Sequence, residues 1–408
     1  MTRTTAALIL AGGRGTRMEV LCQSRPKPIL PYAGVYRVID FTLSNCVHSG
    51  IRSVAALVDH QRADMTRYFR RWFSANRSLG SLTVLHPRNA SYQGTADAVY
   101  RNLDYLSRQD SDTVVVLAGD HVYNMDYRGM LDFHRAAEAD ATVGVVRVPI
   151  TEAHRFGTVV TEPDGRIAEF VEKSSRPKSD IASMGIYIFN KSLLEAYVTE
   201  DAADPSSRHD FGYAILPRIL RKGELFAYEF KGYWQDIGTV EAYYEAHMDL
   251  LGEKPRVRLE STPPLLSDRK VSIGRSGGER GYVVNSLVGP GCVIEGYVEN
   301  SILSPGVRVA KFAEVRDSIL MAHSRVGYHS VIDRCILDER VDVGELCYIG
   351  FGNTTSQAER DITLLGKGVT VPGHTVVGRS CVVSPKAGLG SFPGRSVPSG
   401  SVIPLPVP

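Results

Sequence analysis

The chain of 408 residues is long enough for two domains, each with its own hydrophobic core. Its hydrophobic content of 43% and its charged content of 23% are those of an ordinary globular protein. The net charge of +2 gives no reason to expect nucleic acid or a membrane surface as the main partner, and no stretch approaches the roughly 20 apolar residues of a membrane-spanning helix.

The first residues and the cysteines predict a cytoplasmic protein. An apolar run follows Thr2–Thr5, but it is too short for a signal peptide and no cleavage site follows it. No C-x-x-C spacing and no nearby pair of histidines accompanies the cysteines, which favours buried free thiols over disulfides or zinc ligands. These six residues are Cys22, Cys46, Cys292, Cys335, Cys347 and Cys381.

Strand and helix signals alternate through residues 1–250, which we interpret as one α/β domain built on a doubly wound, mainly parallel sheet. The predicted strands are Ala6–Ala11, Ser53–Leu57, Ser81–Leu85, Thr113–Ala118, Ala141–Val148 and Ser183–Phe189. The predicted helices include Thr95–Ser107 and Gly129–Glu138. In such sheets ligands bind beyond the carboxyl ends of the strands, so we expect the Gly12 loop and Asp120 to lie at that edge.

The chain changes character after residue 250. Residues 251–280 are rich in proline, glycine and charge, and we interpret them as a linker. Residues 281–408 carry a repeat in which Ser286–Val288, Ser301–Leu303, Ser318–Leu320 and Cys335–Leu337 recur at spacings of 15, 17 and 17. Short strands at this period predict a left-handed parallel β-helix made of hexapeptide-like repeats. The proline-rich tail, residues 396–408, carries no functional signal.

A glycine-rich loop follows the first predicted strand and suggests a phosphate site. Gly12, Gly13 and Gly15 allow a ligand to approach the backbone closely and direct several N–H groups at one anion. Arg14, Arg17 and Lys27 add positive charge beside them. The spacing is not that of a P-loop or of a dinucleotide-binding fingerprint, and a tight structural turn is the competing interpretation. The arginines between Arg62 and Arg71 are interpreted as a solvated helix face.

Six blocks of the chain resemble, in order, the glucose-1-phosphate adenylyltransferase family, which belongs to the sugar-nucleotide pyrophosphorylases. They are Leu10–Arg17; Arg37–Phe41 with Leu43–Asn45; Gln93–Ala98; Leu117–Tyr123; Phe170–Lys173 with Ala182–Gly185; and His209–Gly212 with Tyr233–Thr239. The resemblance covers residues 5–350 and is most specific in the first 250. It implies a Rossmann-like nucleotidyltransferase domain followed by a β-helix used for oligomerisation or regulation.

The implied reaction moves AMP from ATP to a hexose 1-phosphate with release of pyrophosphate, in the synthesis of glycogen or a related α-glucan. Both substrates are polyanions, so catalysis consists mostly of positioning and charge neutralisation. We expect Arg17, Lys27 and Asp120 to be catalytic, and Asp120 and Asp236 to ligate Mg²⁺. A turn aspartate and an ordinary surface lysine are the structural alternatives for Asp120 and Lys27. Gly119 before Asp120 is expected to leave room for the ligand.

The resemblance also assigns nucleotide and sugar contacts. We expect the nucleotide to contact Leu10, Ala11, Gly12, Gly13, Gly15, Thr16, Gln93, Gly94, Thr95 and Ala96, with Gln93 at the adenine edge and Gly94 allowing the base or ribose to approach. We expect the sugar phosphate to contact Tyr92, Gly157, Glu172, Lys173, Ser183, Tyr233 and Trp234. A solvated charge pair is the alternative for Glu172 and Lys173. His121 and His209 are expected to be structural or to support neighbouring site residues rather than to be catalytic, because the reaction needs no acid–base step.

Some features depart from the family pattern. Ser24 stands where activator-responsive members commonly carry a lysine, so the usual activation is in doubt, although Arg25 and the arginines near Arg62 could compensate. The segment between Leu85 and Tyr92 is also short. The resemblance therefore predicts no particular effector, and it implies a homotetramer. The alternatives are an enzyme for UTP, dTTP or GTP, an amino sugar phosphate as acceptor, a non-catalytic regulatory subunit, and an acyltransferase role for the β-helix.

Overall fold

Two compact units make up the chain, in a computed structural model that describes residues 4–13, 15–259, 263–268, 281–352 and 361–404. The first unit comprises Met1–Gly13, Ile39–Trp234 and Leu265–Asp268, and the second comprises Arg14–Val38, Gln235–Pro264 and Arg269–Pro408. Arg14, much of the predicted linker and the last four residues lie outside the described residues. The predicted boundaries at residues 250 and 280 stay a prediction, and each unit is described separately below.

The strands of the first 250 residues are as follows. They are β1 (Thr5–Leu10), β2 (Pro31–Tyr32), β3 (Tyr36–Arg37), β4 (Ser53–Leu57), β5 (Ser81–Leu85), β6 (Thr113–Ala118), β7 (His121–Tyr123), β8 (Ala141–Arg147), β9 (Gly157–Thr161), β10 (Ile167–Glu172), β11 (Ile181–Asn190), β12 (Leu225–Glu229) and β13 (Trp234–Asp236). All six strands predicted from apolar runs are present, with ends that shift by no more than two residues.

The helices of the same part of the chain are short to medium in length. They are α1 (Val20–Gln23), α2 (Ile39–His48), α3 (Arg62–Ala75), α4 (Thr95–Tyr100), α5 (Leu103–Ser107), α6 (Tyr127–Ala136), α7 (Lys191–Ala202), α8 (Leu216–Lys222) and α9 (Val240–Met248), with a π-helix at Phe211–Ile215 and 3-10 turns at Thr16–Met18 and Lys27–Ile29. The helix predicted over Thr95–Ser107 is therefore two helices. The helix predicted over Gly129–Glu138 begins earlier, because Asp126 caps it by accepting the N–H of Arg128 at 3.0 Å.

A mixed sheet forms the centre of the first unit. Its strand order is β10-β9-β11-β6-β1-β4-β5, and β8 pairs with both β11 and β12. The strands β6, β1, β4 and β5 are parallel, whereas β11 is antiparallel to β6, β8 and β9. The α/β class is thus confirmed, while the sheet has a parallel half and an antiparallel half. Its interior strands are apolar on both faces because helices cover them, as the fully buried Val114–Leu117 illustrates.

The second unit contains the β-helix, whose strands form three parallel sheets. One contains β14 (Tyr282–Val284), β17 (Tyr297–Glu299), β20 (Glu314–Arg316), β23 (Val331–Asp333), β26 (Tyr348–Phe351), β29 (Val376–Gly378) and β31 (Ser396–Val397). Another contains β15 (Leu287–Val288), β18 (Ile302–Leu303), β21 (Ile319–Leu320), β24 (Cys335–Leu337), β27 (Thr363–Leu365), β30 (Val382–Val383) and β32 (Val402–Ile403). The third contains β16 (Val293–Ile294), β19 (Arg308–Val309), β22 (Arg325–Val326), β25 (Asp342–Val343) and β28 (Thr370–Val371). The predicted left-handed parallel β-helix is confirmed.

The repeated serines of the sequence explain how the coils stack. The hydroxyl of Ser301 accepts the N–H of Ser318 at 3.1 Å, and the hydroxyl of Ser318 accepts the N–H of Cys335 at 3.0 Å. Before each of these residues the chain turns with a positive φ, at Asn300 and Asp317, a conformation that asparagine and aspartate adopt more readily than most residues. The repeat therefore encodes a ladder of side-chain hydrogen bonds along one corner of the β-helix.

All six cysteines are free thiols, and five are buried, as the sequence predicts. Cys292 is partly exposed. Burial raises the pKa of Cys335 and Cys46 well above the usual range, which keeps these thiols protonated and unreactive. Within the described parts of the chain, no helix is both long and apolar enough to cross a membrane.

Candidate functional site

The glycine-rich loop begins where β1 ends, at the carboxyl edge of the parallel strands. The N–H of Ala11 bonds to the carbonyl of Leu57 at 3.0 Å, which holds the first residue of the loop against β4. A Cβ atom at Gly12 would lie 3.2 Å from the Cβ of Asp59, whereas one at Gly13 would meet no atom within 4 Å. Gly12 therefore packs against Asp59, just beyond the end of β4, and Gly13 is exposed, so an incoming ligand can approach the backbone at Gly13.

Asp120 lies at the same edge, directly after β6, as predicted. Its side chain is 33% exposed, and one of its carboxylate oxygens lies 3.6 Å from the Nε2 atom of His121. The expected role of Gly119 is different from the observed one. Gly119 is buried, and a Cβ atom there would lie 2.9 Å from Ile39 and 3.0 Å from Ile9. Glycine is required at this position for packing of the strand end rather than to make room for a ligand.

The predicted nucleotide loop at Gly94 and Thr95 is held by a distant segment of the same unit. A Cβ atom at Gly94 would lie 2.2 Å from the carbonyl oxygen of His209, so the protein's own backbone packs closely against Gly94 on this side, and the approach of a base or ribose stays a prediction. The N–H of Ala96 donates to that carbonyl at 2.8 Å. The hydroxyl of Thr95 donates to the carboxylate of Asp210 at 2.9 Å. The loop is therefore fixed in place before a nucleotide binds.

The two residues before this loop are placed differently from each other. Gln93 is exposed, so its amide remains accessible to a ligand, and its backbone N–H donates to Asp97 at 2.8 Å. Tyr92 is half-buried and its hydroxyl accepts from the side chain of Asn102 at 2.9 Å. Burial raises the pKa of Tyr92, which keeps it a neutral phenol.

Glu172 and Lys173 form an ion pair at the end of β10. The Nζ atom of Lys173 lies 2.8 Å from the Oε1 atom of Glu172, whose side chain is only 13% exposed. Burial lowers the pKa of Lys173, but the hydrogen bond and charge of Glu172 outweigh it and raise the pKa overall. Two glycines flank the carboxylate, since a Cβ atom at Gly157 or Gly212 would lie 2.5 Å or 2.4 Å from the Oε2 atom of Glu172. Glu172 is therefore enclosed, whereas the Lys173 side chain is 52% exposed, and the choice between a binding pair and a solvated charge pair stays a prediction.

Ser183 and Trp234 lie on strands of the first unit. Ser183 is buried on β11, and its hydroxyl accepts the N–H of Gly185 at 3.3 Å. Trp234 has edge-on contacts with the rings of His121 and Phe156, at centroid distances of 5.2 Å and 5.3 Å. Tyr233 precedes it and is partly buried. His121 is thus in contact with Trp234, a predicted sugar contact, and its role as a structural or supporting residue stays a prediction.

The second unit contains Arg17 and Lys27, which are predicted to contact phosphates, and Asp236, which is predicted to ligate Mg²⁺. The Nζ atom of Lys27 lies 3.3 Å from the Oδ1 atom of Asp236, and the Lys27 side chain is 8% exposed. A Cβ atom at Gly238 would lie 2.8 Å from the Oδ2 atom of Asp236 and 3.1 Å from a terminal nitrogen of Arg17, so these three side chains converge. Lys27 is therefore not an ordinary surface lysine.

The turn that carries Arg17 depends on a glycine. Gly15 has a φ of +65°, and a Cβ atom there would lie 2.9 Å from the sulfur of Cys22 and 3.3 Å from the Cβ of Lys27. Thr16 begins the 3-10 turn, and both Thr16 and Arg17 are exposed. Gly15 therefore closes the loop against the segment that contains Lys27.

The arginines that could replace a missing activator lysine have other partners. Arg25 is buried and forms an ion pair with Asp338 at 2.7 Å. Arg67 and Arg71 lie on the exposed face of α3 and pair with Asp64 and Asp268 at 3.2 Å and 2.9 Å. The interpretation of the α3 arginines as a solvated helix face is confirmed.

The residues present fit a magnesium ion that arrives with nucleotide phosphates. In the part of the chain that the structure describes, no three histidine, cysteine, aspartate or glutamate side chains are grouped to hold a metal. Magnesium needs no such cage, because it keeps several waters and takes one or two carboxylates beside substrate phosphates. Asp120, with its partly exposed carboxylate at a strand end, is a donor of this kind.

The sequence analysis does not predict that the segment His209–Gly212 holds other site residues of the first unit in place. Asp210 accepts from Thr95 through Oδ2 and from the N–H of Gly212 at 2.9 Å through Oδ1, while Gly212 touches Glu172. The signal in the sequence is the His-Asp-Phe-Gly block itself, which belongs to the resemblance but predicts no role for Asp210 or Gly212. His209 pairs with Asp201 at 2.9 Å, in line with its expected structural role.

Comparison with known proteins defines the class first. The family described as nucleotidyl transferase matches residues 6–253, and the family described as GlmU-like, C-terminal hexapeptide matches residues 270–372. The glycine-rich loop at the end of β1 and the parallel β-helix are therefore features of a nucleotidyl transferase that carries a hexapeptide-repeat domain.

Relatives that match most of the chain identify the family within this class. Glucose-1-phosphate adenylyltransferase of Thermomicrobium roseum is 41% identical, with 98% of this chain and 97% of that protein covered. The protein of the same name from Acetivibrio thermocellus is 39% identical, with 97% of each covered, and that of Bacillus thuringiensis is 43% identical over 81% of this chain and 90% of its own. The chain belongs to the glucose-1-phosphate adenylyltransferase family.

Proposed function

We propose that the protein transfers the AMP group of ATP to glucose 1-phosphate, forming ADP-glucose and releasing pyrophosphate. The observation that carries this proposal is the identity of about 40% to glucose-1-phosphate adenylyltransferases along nearly the whole chain. Two observations support it: the enclosed Glu172 carboxylate with its partner Lys173, and the convergence of Arg17, Lys27 and Asp236. They provide charges suited to a sugar phosphate and to a polyphosphate. A role in glycogen or α-glucan synthesis follows from the product.

The phosphates are bound by the residues with fixed charge. Lys27 and Arg17 neutralise the phosphates of ATP, so that negative charge on the departing pyrophosphate is stabilised where it develops. The exposed backbone at Gly13 binds phosphate oxygens through N–H groups. Asp120 and Asp236 are the carboxylates proposed to hold Mg²⁺, which when bound supplies further neutralisation of the phosphate charge.

The sugar phosphate is bound by the residues around β10 and β11. Glu172 accepts hydrogen bonds from sugar hydroxyls, and Lys173 exchanges its contact with Glu172 for the phosphate. Tyr92, Gly157, Ser183, Tyr233 and Trp234 line the sugar in this proposal. Leu10, Ala11, Gly12, Gly15, Thr16, Gly94 and Ala96 shape the nucleotide side, with Gln93 at the adenine edge. Attack of the sugar phosphate oxygen on the α-phosphorus then requires positioning and no general base.

Pyrophosphate release tests the proposal directly. The purified protein with magnesium is assayed with ATP, UTP, GTP and dTTP, each crossed against glucose, glucosamine and mannose 1-phosphates. We expect turnover with ATP and glucose 1-phosphate to exceed every other combination by about tenfold or more, a difference of about 1.4 kcal/mol in transition-state binding. Preference for UTP or another nucleotide would contradict the adenine assignment, and a matrix without turnover would favour a regulatory subunit.

Further properties are proposed from the family resemblance. We propose a homotetramer, which light scattering measures, and control by small anionic metabolites whose identity Ser24 leaves open. The domains proposed are residues 1–250 for catalysis, 251–280 as a linker and 281–408 for oligomerisation or regulation. A cytoplasmic location remains the prediction made from cysteine usage.

A further inference from the structure

Arg25 forms a buried ion pair two residues before Lys27. This closeness to Lys27 is more informative about the role of Arg25 than the energy of the ion pair. Its side chain is 6% exposed, and its guanidinium lies 2.7 Å from Oδ1 of Asp338, which is fully buried, and 3.4 Å from Glu339. The other end of the guanidinium contacts the sulfur of Met321 at 3.7 Å. All of these partners lie in the β-helix, within the same compact unit as Arg25.

The carboxylates that bind Arg25 are themselves held firmly. Asp338 follows β24, and its Oδ1 atom also accepts the N–H of Glu339 at 2.6 Å. Glu339 pairs with Lys367 at 2.9 Å and with Arg37 at 3.7 Å. Burial raises the pKa of Glu339, but the three cations around it outweigh burial and lower the pKa to about 2. Glu339 therefore stays charged, and the network is a rigid attachment point.

Arg25 is separated from Lys27 by a single, conformationally fixed residue. Pro26 has φ −70° and ψ 148°, and Lys27 starts a 3-10 turn with Pro28 at its second position. Since proline restricts both itself and the residue before it, the attachment of Arg25 also fixes the direction in which Lys27 leaves the backbone. The Lys27 amine lies 3.3 Å from Asp236.

A buried ion pair is weak support for stability, because desolvation offsets most of the attraction and an apolar replacement is often as stable. We propose that Arg25 is a positioning residue for the reaction, which holds Lys27 toward the nucleotide phosphates by anchoring its segment to Asp338 and Glu339 of the β-helix. This proposal rests on the proposed function, because it assigns Lys27 to the phosphates.

A double-mutant cycle with Lys27 tests the proposal. In an otherwise unchanged chain, Arg25→Met is expected to lower kcat by about 10- to 100-fold with KM for the sugar phosphate within about twofold, since an interaction made in the transition state is lost. In a Lys27→Met background, measured at high enzyme concentration, Arg25→Met is expected to change kcat by less than about twofold. Independent effects of the two substitutions would overturn the proposal.

Two further variants separate positioning from folding. Arg25→Met with Asp338→Leu removes both buried charges and is expected to recover the thermal midpoint without recovering kcat. Recovery of kcat along with the midpoint would mean that Arg25 only supports folding, and would overturn the proposal. The matched control is Arg379→Met, since Arg379 is 15% exposed and pairs with Asp333 of the β-helix. We expect it to leave kcat within about twofold, with effects additive to Lys27→Met. An inactive unmodified protein would contradict the proposed function instead.

Discussion

At the scale of single residues, the contact between Gly212 and Glu172 decides how the sugar site is built. A Cβ atom at Gly212 would lie 2.4 Å from the Oε2 atom and 2.7 Å from the Cδ atom of Glu172. Gly212 lies in a π-helix with right-handed backbone, so alanine fits the local conformation there. Because the conflicting atoms are at the end of a flexible side chain, an added methyl group displaces the carboxylate and leaves the fold intact.

Gly212→Ala is therefore expected to raise KM for glucose 1-phosphate by about tenfold, which corresponds to about 1.4 kcal/mol of lost binding, with KM for ATP within about twofold. Steady-state kinetics with each substrate varied in turn measure both values. Gly390→Ala is the matched control, since a Cβ atom there meets nothing within 4 Å. Equal changes in the two KM values would show that Glu172 does not serve the sugar phosphate.

The residue types of the candidate site could be predicted from the sequence, whereas the contacts that hold these residues in place could not. Glu172 and Lys173 are adjacent in sequence, so their pairing was open to prediction. The carbonyl of His209 against Gly94, and Asp210 against Thr95, join positions more than 100 residues apart. No local pattern in the sequence records such a contact, and for this reason the packing of the His209 backbone against Gly94 could not be predicted.

At the scale of elements, α9 is joined to the β2 segment through a buried histidine. His247 is 1% exposed and its ring contacts Tyr32 and Tyr243, at centroid distances of 4.6 Å and 4.4 Å. Its Nδ1 atom lies 2.8 Å from the carbonyl of Tyr243 and its Nε2 atom accepts the N–H of Ala33 at 3.2 Å. This arrangement selects the neutral tautomer with hydrogen on Nδ1, since a proton on Nε2 would face another donor.

Burial lowers the pKa of His247 from 6.5 to about 4, despite the opposing hydrogen bond to Tyr243. The unfolded chain therefore binds a proton below pH 6.5 that the folded chain excludes until about pH 4, so stability falls as the pH decreases through this window. We expect the free energy of unfolding to drop by about 2 kcal/mol from pH 8 to pH 5 through this residue. The measurement compares urea unfolding of the unmodified protein and His247→Gln at both pH values. A pH dependence that is the same in the two proteins would contradict the prediction.

Most of the strands that the sequence predicts in the sheet are more buried than β9, β10 and β12, which it does not predict. Interior strands such as β4 and β6 are continuous apolar runs and were predicted within a residue of their ends. Strands β9, β10 and β12 mix buried and exposed positions, because they lie toward the antiparallel side of the sheet. Their patterns resemble loops as much as strands, so the sequence does not predict them. These strands, together with β11, are what make the sheet mixed rather than mainly parallel.

At the scale of the whole molecule, the two compact units interleave along the chain. The segments Arg14–Val38 and Gln235–Pro264, which carry Arg17, Lys27 and Asp236, belong to the unit that contains the β-helix. Tyr244 donates its hydroxyl to the carbonyl of Asp317 at 2.7 Å, and a Cβ atom at Gly34 would lie 3.3 Å from the carbonyl of Leu303. Composition divides the chain at its linker, but it does not record which segments pack together.

A chain that ends at Asp268 is therefore expected to lose activity, although it retains every residue proposed to contact a substrate. Without the β-helix, Arg25, Gly34 and Tyr244 lose the partners that hold their segments, so Lys27 is no longer fixed beside Asp236. We expect less than about 1% of the kcat of the full chain, a loss of about 2.7 kcal/mol or more in transition-state stabilisation. A chain that ends at Pro404 serves as the control and is expected to keep full activity. Circular dichroism of the shorter chain shows whether the mixed sheet remains folded, and full activity in a folded 1–268 fragment would contradict a supporting role of the β-helix for Lys27.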